Sequence, residues 1–212
     1  MEIRLAAPIE PDSIVDGEGI RTVIWTQGCG HNCKGCHNPE THDFNKGTLV
    51  DVKELEKQIL NIRHQDGITL SGGDPMYQPE AVLEIAKFCK ANNLNVWCYT
   101  GFTFEELQKM AENNKNVKEL LENIDVLVDG KFVLEQKSLN LYFKGSANQR
   151  ILDMPKSLKE QKPIEIEKYK GTRTFKKYDN TANANNGLFI WNFNRSIWIR
   201  SYFFNLFSSF II

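Results

Sequence analysis

The chain predicts an α/β fold built on a parallel sheet, and three observations predict it. Short apolar stretches of strand length alternate with amphipathic stretches of helical length, the pattern of βαβ units. Each strand stretch is followed at once by a polar or glycine-rich motif, and in parallel α/β folds ligand sites form at the C-terminal ends of the strands. Only about five or six such strands fit before residue 150, which suits a partial (incomplete) parallel β/α barrel and not a closed eight-stranded one.

The elements follow in chain order. "VIWT", Val23 to Thr26, reads as a short strand running into a cysteine-rich loop. "DVKELEKQILNIR" carries Val52, Leu55, Ile59 and Ile62 at helical spacing, with Asp51 placed to cap the N-terminus. "GITLSGGDP" is a strand ending in a turn at Gly72 and Gly73. "PEAVLEIAKFCKANN" is a helix with Pro79 early and Val82, Ala86 and Cys89 on one face. "NVWCYTG" is a buried strand ending at Thr100-Gly101, and "TFEELQKMAEN" is a helix with Thr103 and Glu106 as a capping box. A further helix runs from Val117 to Asn123, and "IDVLVDGKF" is a strand ending at Asp129-Gly130. Four motifs at four strand ends imply one shared site. Asp129 reads equally as part of that site or as a plain Asp-Gly turn, and "GEG" at 17 to 19 is too short to count as a phosphate loop.

Composition narrows the class. The 212 residues carry a net charge of −1 and are 41% hydrophobic, enough for one domain with a real core. That balance carries no nucleic-acid footprint. "MEIRLAAPIEPDSIVDGEG" has no long apolar run, so neither a signal peptide nor a membrane partner is expected there. Five cysteines, three of them crowded, do not form a disulfide framework, and a reducing, cytoplasmic setting is expected.

"GCGHNCKGCHN", residues 28 to 38, is the densest chemistry in the chain. Cys29, Cys33 and Cys36 are spaced Cys-x3-Cys-x2-Cys. A structural zinc would need a fourth ligand, with His31, His37 and His42 as candidates. Three thiolates on one loop equally suit three irons of a [4Fe–4S] cluster, leaving the fourth iron open to a ligand that is not protein. Cys89 on a helix face and Cys98 inside a strand read as small core residues. The four histidines read as solvated or loop-bonded residues.

The cysteine loop, followed 35 residues after Cys36 by "SGGDP", resembles the radical S-adenosylmethionine superfamily. "IVDGEGIRTVIW", "QGCGHNCKGCHNPETH", "ITLSGGDPM", "VWCYTGFTFEEL", "IDVLVDGKF" and "LYFKGSANQRILD" narrow the resemblance to the activating proteins of anaerobic ribonucleoside-triphosphate reductase, across residues 12 to about 154. Gly35 stands where many radical enzymes carry an aromatic residue, a departure usual in this subgroup. The resemblance implies one [4Fe–4S] cluster on Cys29, Cys33 and Cys36, with S-adenosylmethionine chelating the open iron. It implies that Gly72 and Gly73 leave the path to the methionine end clear, with Asp74 near the ammonium group, and that the loop Gly35, Cys36 and His37 meets the adenine. It further implies reductive cleavage to a 5′-deoxyadenosyl radical, which abstracts hydrogen from a glycine of the reductase. An electron donor such as flavodoxin or ferredoxin is implied as a second partner. No general base is required. The open side of an incomplete barrel suits a partner's loop. Three alternatives stand beside this: an activator of the pyruvate formate-lyase type, 7-carboxy-7-deazaguanine synthase, and a zinc-binding interaction module.

The end of the chain changes character. A radical S-adenosylmethionine domain is expected over 1–168 and an atypical tail over 169–212. From Tyr169 onward there is one acidic residue against six basic ones, and 12 of the 23 aromatic residues fall in these 44 positions. The apolar run from Ile197 to Ile212 contains Arg200 and is short of the ~20 residues that span a bilayer. A docking tail is a second reading. The composition break favours a third, a segment foreign to the fold that carries no site residue and promotes aggregation.

Overall fold

The computed structural model describes residues 1–173. One sheet contains β1 (Glu2–Leu5), β2 (Glu10–Ser13), β3 (Arg21–Thr26), β4 (Thr48–Asp51), β5 (Gly67–Gly72), β6 (Asn95–Tyr99), β7 (Val126–Asp129) and β8 (Arg150–Asp153). Their spatial order is β4-β1-β3-β5-β6-β7-β8, with β2 added beside β3, and the two ends of the order do not pair. The sheet is therefore open and not a closed eight-stranded barrel.

Its parallel part is confined to the centre. β3, β5, β6 and β7 run parallel, whereas β1, β2, β4 and β8 pair antiparallel at the margins. Seven strands precede residue 150, against the five or six expected, and β8 begins there. The four that the sequence did not single out are only four residues long, and β2 reads Glu-Pro-Asp-Ser, which has no apolar alternation to betray it.

The helices are α1 (Val52–Asn61), α2 (Pro79–Ala91), α3 (Phe104–Asn113), α4 (Lys115–Glu122) and α5 (Met154–Glu160). Local chemistry starts them where expected. The Asp51 carboxylate accepts from the Lys53 and Glu54 amides, and Thr103 with Glu106 closes a capping box on α3. α4 starts two residues before the expected Val117 because the Asn114 side chain caps the Asn116 and Val117 amides.

Strand alternation gives the sheet two unlike faces. Ile24, Ile68, Leu70, Val96, Cys98 and Leu127 point to the helices and pack with Leu55, Ile59, Val82, Ile85, Cys89, Phe104, Leu107 and Leu120. Both lone cysteines are thus core residues. The opposite face is aromatic, with Trp97, Val126, Val128, Ile151 and Tyr169 buried and Tyr99, Tyr142 and Phe143 packed on them.

Tyr169 corrects the expected domain boundary. It is 6% exposed, its ring lies 5.8 Å from Trp97, and Lys168 pairs with Glu18. Arg173 sits over the Tyr142 and Phe143 rings at 5.4 and 5.1 Å. Residues 169–173 therefore belong to the domain. The rest of the expected tail, 174–212, lies outside the described residues. Among the described residues no helix is long and apolar enough to cross a membrane.

Candidate metal centre

The cysteine loop leaves the C-terminal end of β3. Its two ends are pinned by backbone hydrogen bonds, Gly28 N–H to the Thr41 carbonyl at 2.8 Å and Cys29 N–H to the His42 carbonyl at 3.2 Å. Between them the Cys36 amide donates to the Cys33 carbonyl at 3.1 Å, and the Asn38 amide donates to the Cys36 sulfur at 3.4 Å. Gly28 and Gly35 have φ of +103° and +72°, conformations that side chains rarely adopt. One short loop thus carries all three thiols, each half-buried.

Electrostatics then says what the thiols need. Burial, and next the nearby Asp74 carboxylate and the other two thiols, pushes Cys29 up to about 11. Burial also pushes Cys36 up. The loop by itself therefore disfavours the thiolate form of Cys29 and Cys36. A metal group supplies the missing positive charge, so the donor set fits a cluster that ionises all three.

The glycine turn after β5 is stitched to this loop. The Gly73 amide donates to the Thr26 carbonyl at 2.7 Å and the Asp74 amide to the Gly28 carbonyl at 2.9 Å. A Cβ at Gly72 would lie 2.5 Å from the Thr26 backbone, and one at Gly73 would lie 2.4 Å from the Gly28 carbonyl oxygen. The two glycines were expected to clear a path for a ligand. In the structure the missing side chains face β3 and the cysteine loop, so the glycines serve first to let two backbones touch.

Asp74 is fully buried. It accepts hydrogen bonds from the Met76 amide at 2.9 Å, the Gly101 amide at 2.9 Å and the Thr100 hydroxyl at 2.8 Å, and His31 Nε2 lies 2.7 Å from it. His31 is therefore a loop-bonded residue, as the sequence suggested. Its link to Asp74 and Thr100 was not foreseen, because the three lie far apart in the chain.

Gly35 and His37 face the segment that follows β7. A Cβ on Gly35 would touch Leu134 at 3.0 Å, and the His37 ring lies 4.7 Å from Phe132. Burial and then Lys137 push the His37 imidazole below its ordinary value. "GSANQR" explains how that segment holds its shape. Gln149 accepts from the Gly145 and Ser146 amides at 2.9 and 3.1 Å and donates to the Gly130 carbonyl at 3.0 Å. Asn148 donates to the Lys131 carbonyl at 2.8 Å. Asp129, at the end of β7, has its hydrogen bonds within the fold. Its buried carboxylate accepts from the Phe104 amide at 2.8 Å and from Arg150 Nε at 3.0 Å, tying the start of α3 to β8.

Comparison with known proteins places this geometry. Residues 15–152 match the family described as a 4Fe-4S single cluster domain. The anaerobic ribonucleoside-triphosphate reductase-activating protein of Haemophilus influenzae is 38% identical over 151 residues, 66% of this chain and 92% of that one. The protein of the same name from Escherichia coli K12 is 37% identical over 150 residues, with the same coverage. That of Enterobacteria phage T4 is 34% identical over 150 residues, 68% of this chain and 90% of that one. The chain belongs to this family. Cys29, Cys33 and Cys36 fall within the residues that match the 4Fe-4S family, so the protein carries a [4Fe–4S] cluster and the zinc alternative falls away. The crystal structure of QueE from Escherichia coli covers 49% of the chain at a TM-score of 0.42 and 15% identity, below the level at which a shared fold follows.

Proposed function

We propose that the protein activates an anaerobic ribonucleoside-triphosphate reductase by reductive cleavage of S-adenosylmethionine. A bound [4Fe–4S] cluster would supply the one electron that splits S-adenosylmethionine into methionine and, after hydrogen transfer from a glycine Cα of the reductase, 5′-deoxyadenosine, leaving a glycyl radical there. The chain's own residues bind, place and shield. Cys29, Cys33 and Cys36 would hold the cluster through their thiolates, with S-adenosylmethionine bound beside it. The carbonyls of Gly72 and Gly73 receive the ammonium group, with Asp74 fixing the turn that presents them. The backbone of Gly35, Cys36 and His37 meets the adenine. Here the cofactor carries the chemistry and the protein supplies position.

The observation that carries this reading is the double stitch of Gly73 to Thr26 and Asp74 to Gly28, which fixes the glycine turn against the thiol loop. A cofactor that must touch both an iron and a backbone turn needs the two at a fixed separation. The partners are the reductase and a reducing protein of the flavodoxin or ferredoxin kind. Five free cysteines suit a reducing cytoplasm.

Anaerobic reconstitution tests the proposal. The protein should take up about four iron and four sulfide per chain, release methionine and 5′-deoxyadenosine under reduction, and raise a glycyl-radical signal in the reductase. Uptake of zinc without iron, or intact S-adenosylmethionine after reduction, would sink it.

A further inference from the structure

Asp74 stands in the motif where a ligand contact is expected, yet its carboxylate has no capacity left for one. Oδ1 accepts from the Met76 amide at 2.9 Å and the Thr100 hydroxyl at 3.0 Å. Oδ2 accepts from the Gly101 amide at 2.9 Å and also meets the Thr100 hydroxyl at 2.8 Å and His31 Nε2 at 2.7 Å. An ionised carboxylate offers about four lone-pair positions and only accepts. Four donors from three strand ends fill them, and His31 Nε2 must be the nitrogen that carries hydrogen.

The His31 ring is fixed independently of that bond. It lies between Cys29 and Cys33 in the chain, its side chain is 6% exposed, and its ring meets Phe102 edge-on at 4.5 Å and Tyr77 at 5.8 Å. Gly101 closes the other side, where a Cβ would sit 2.4 Å from the imidazole Cδ2. The imidazole fills a slot shaped by the ends of β5 and β6.

We infer that Asp74 and His31 are positioning residues: they lock the thiol loop, the glycine turn and the end of β6 into one unit whose geometry exists before cluster or S-adenosylmethionine arrives. What the unit serves rests on the function proposed above; its existence does not. Neither residue touches the cofactor. Small displacements of supporting groups cost large factors in reactivity.

The test pairs His31→Phe, which keeps the ring packing and removes the donor, with His31→Gln, whose amide can replace Nε2–H. In metal-free protein, amide hydrogen exchange at residues 29–38, Met76 and Gly101 should quicken about tenfold or more in His31→Phe, matching the loss of one charge-assisted bond. The amides of β1 and α1 should be unchanged. After reconstitution, iron content should hold, S-adenosylmethionine binding should weaken about tenfold, and the change that S-adenosylmethionine makes in the reduced cluster's paramagnetic spectrum should shrink. His31→Gln should restore most of each loss. Unchanged exchange and binding in His31→Phe would overturn the inference, and so would a Gln variant no better than Phe. Asp74→Asn adds a second arm, because its NH2 must face at least one donor amide. If it weakens S-adenosylmethionine binding while loop exchange stays normal, Asp74 touches the cofactor and the inference is wrong. Should the wild type fail to cleave S-adenosylmethionine, the proposed function falls, and the exchange comparison still decides the lock.

Discussion

The two ends of the parallel strands solve opposite problems. At the C-terminal end, backbones touch through glycine, and Asp74 gathers donors from three turns. At the N-terminal end, Arg21 is buried with no carboxylate bonded to it among the described residues. Its guanidinium donates to Thr69 Oγ1 at 2.7 Å, to the Glu18 carbonyl at 3.1 Å, to the Asn95 carbonyl at 2.9 Å and to the Ile68 carbonyl. It also lies 5.4 Å from the centre of the Trp97 ring, and burial pushes it down to about 10. Tyr169 and the Lys168–Glu18 pair lie beside it. One end is shaped to hold something added later. The other holds its buried cation with acceptors from the protein itself.

Several experiments break or sharpen that contrast, taken from the largest effect down. Replacing Cys29, Cys33 or Cys36 by Ala should abolish the cluster and all S-adenosylmethionine cleavage, read by iron analysis and visible absorption. Air should bleach the wild type, because an open iron is accessible to oxidants. Gly73→Val should displace the thiol loop, since its Cβ meets the Gly28 carbonyl. Iron uptake should fall by roughly half or more, a cost in line with about 1–3 kcal/mol of overpacking.

Arg21→Met probes the far end. It leaves three carbonyls and a hydroxyl short of a donor, so stability in denaturant should fall by about 3 kcal/mol. Cleavage per folded, cluster-loaded molecule should stay within about twofold, provided that the two ends are independent. Cys89→Ala and Cys98→Ala should each cost about 1 kcal/mol of packing with an unchanged cluster spectrum. The smallest effect is at Glu105, which Arg150 holds down to about 2 from an ordinary 4.5. A depressed carboxyl contributes stability above its unfolded value and loses it as pH falls toward the folded one. Melting temperature should therefore drop between about pH 4.5 and 2, and Glu105→Gln should flatten that slope by about 0.5 kcal/mol, as for a half-exposed pair.

Local chemistry made much of the molecule legible. Asp51, Thr103 and Glu106 cap their helices because a cap is a bond between neighbours three residues apart. The four central strands showed themselves as apolar runs because both of their faces are covered. The marginal strands did not, since β1, whose Glu-Ile-Arg-Leu alternation lasts only four residues, finds its partner β4 some 45 residues later. Tyr169 was assigned to the tail because composition changes there. Only the aromatic face of the sheet reveals where its ring goes.

The sequence by itself determined the class of fold, the three thiols and the glycine turn, because each is written in consecutive residues whose spacing restricts the chemistry. Tertiary structure alone decided what those residues touch. His31 and Asp74 are 43 positions apart, and Asp74 and Thr100 are 26 apart. Their meeting depends on β3, β5 and β6 lying side by side and ending at the same level. Likewise only the folded chain turned Gly73 from a gap for a ligand into a contact between backbones. A one-dimensional pattern specifies which groups are present; the order of strands in the sheet specifies which of them are within bonding distance.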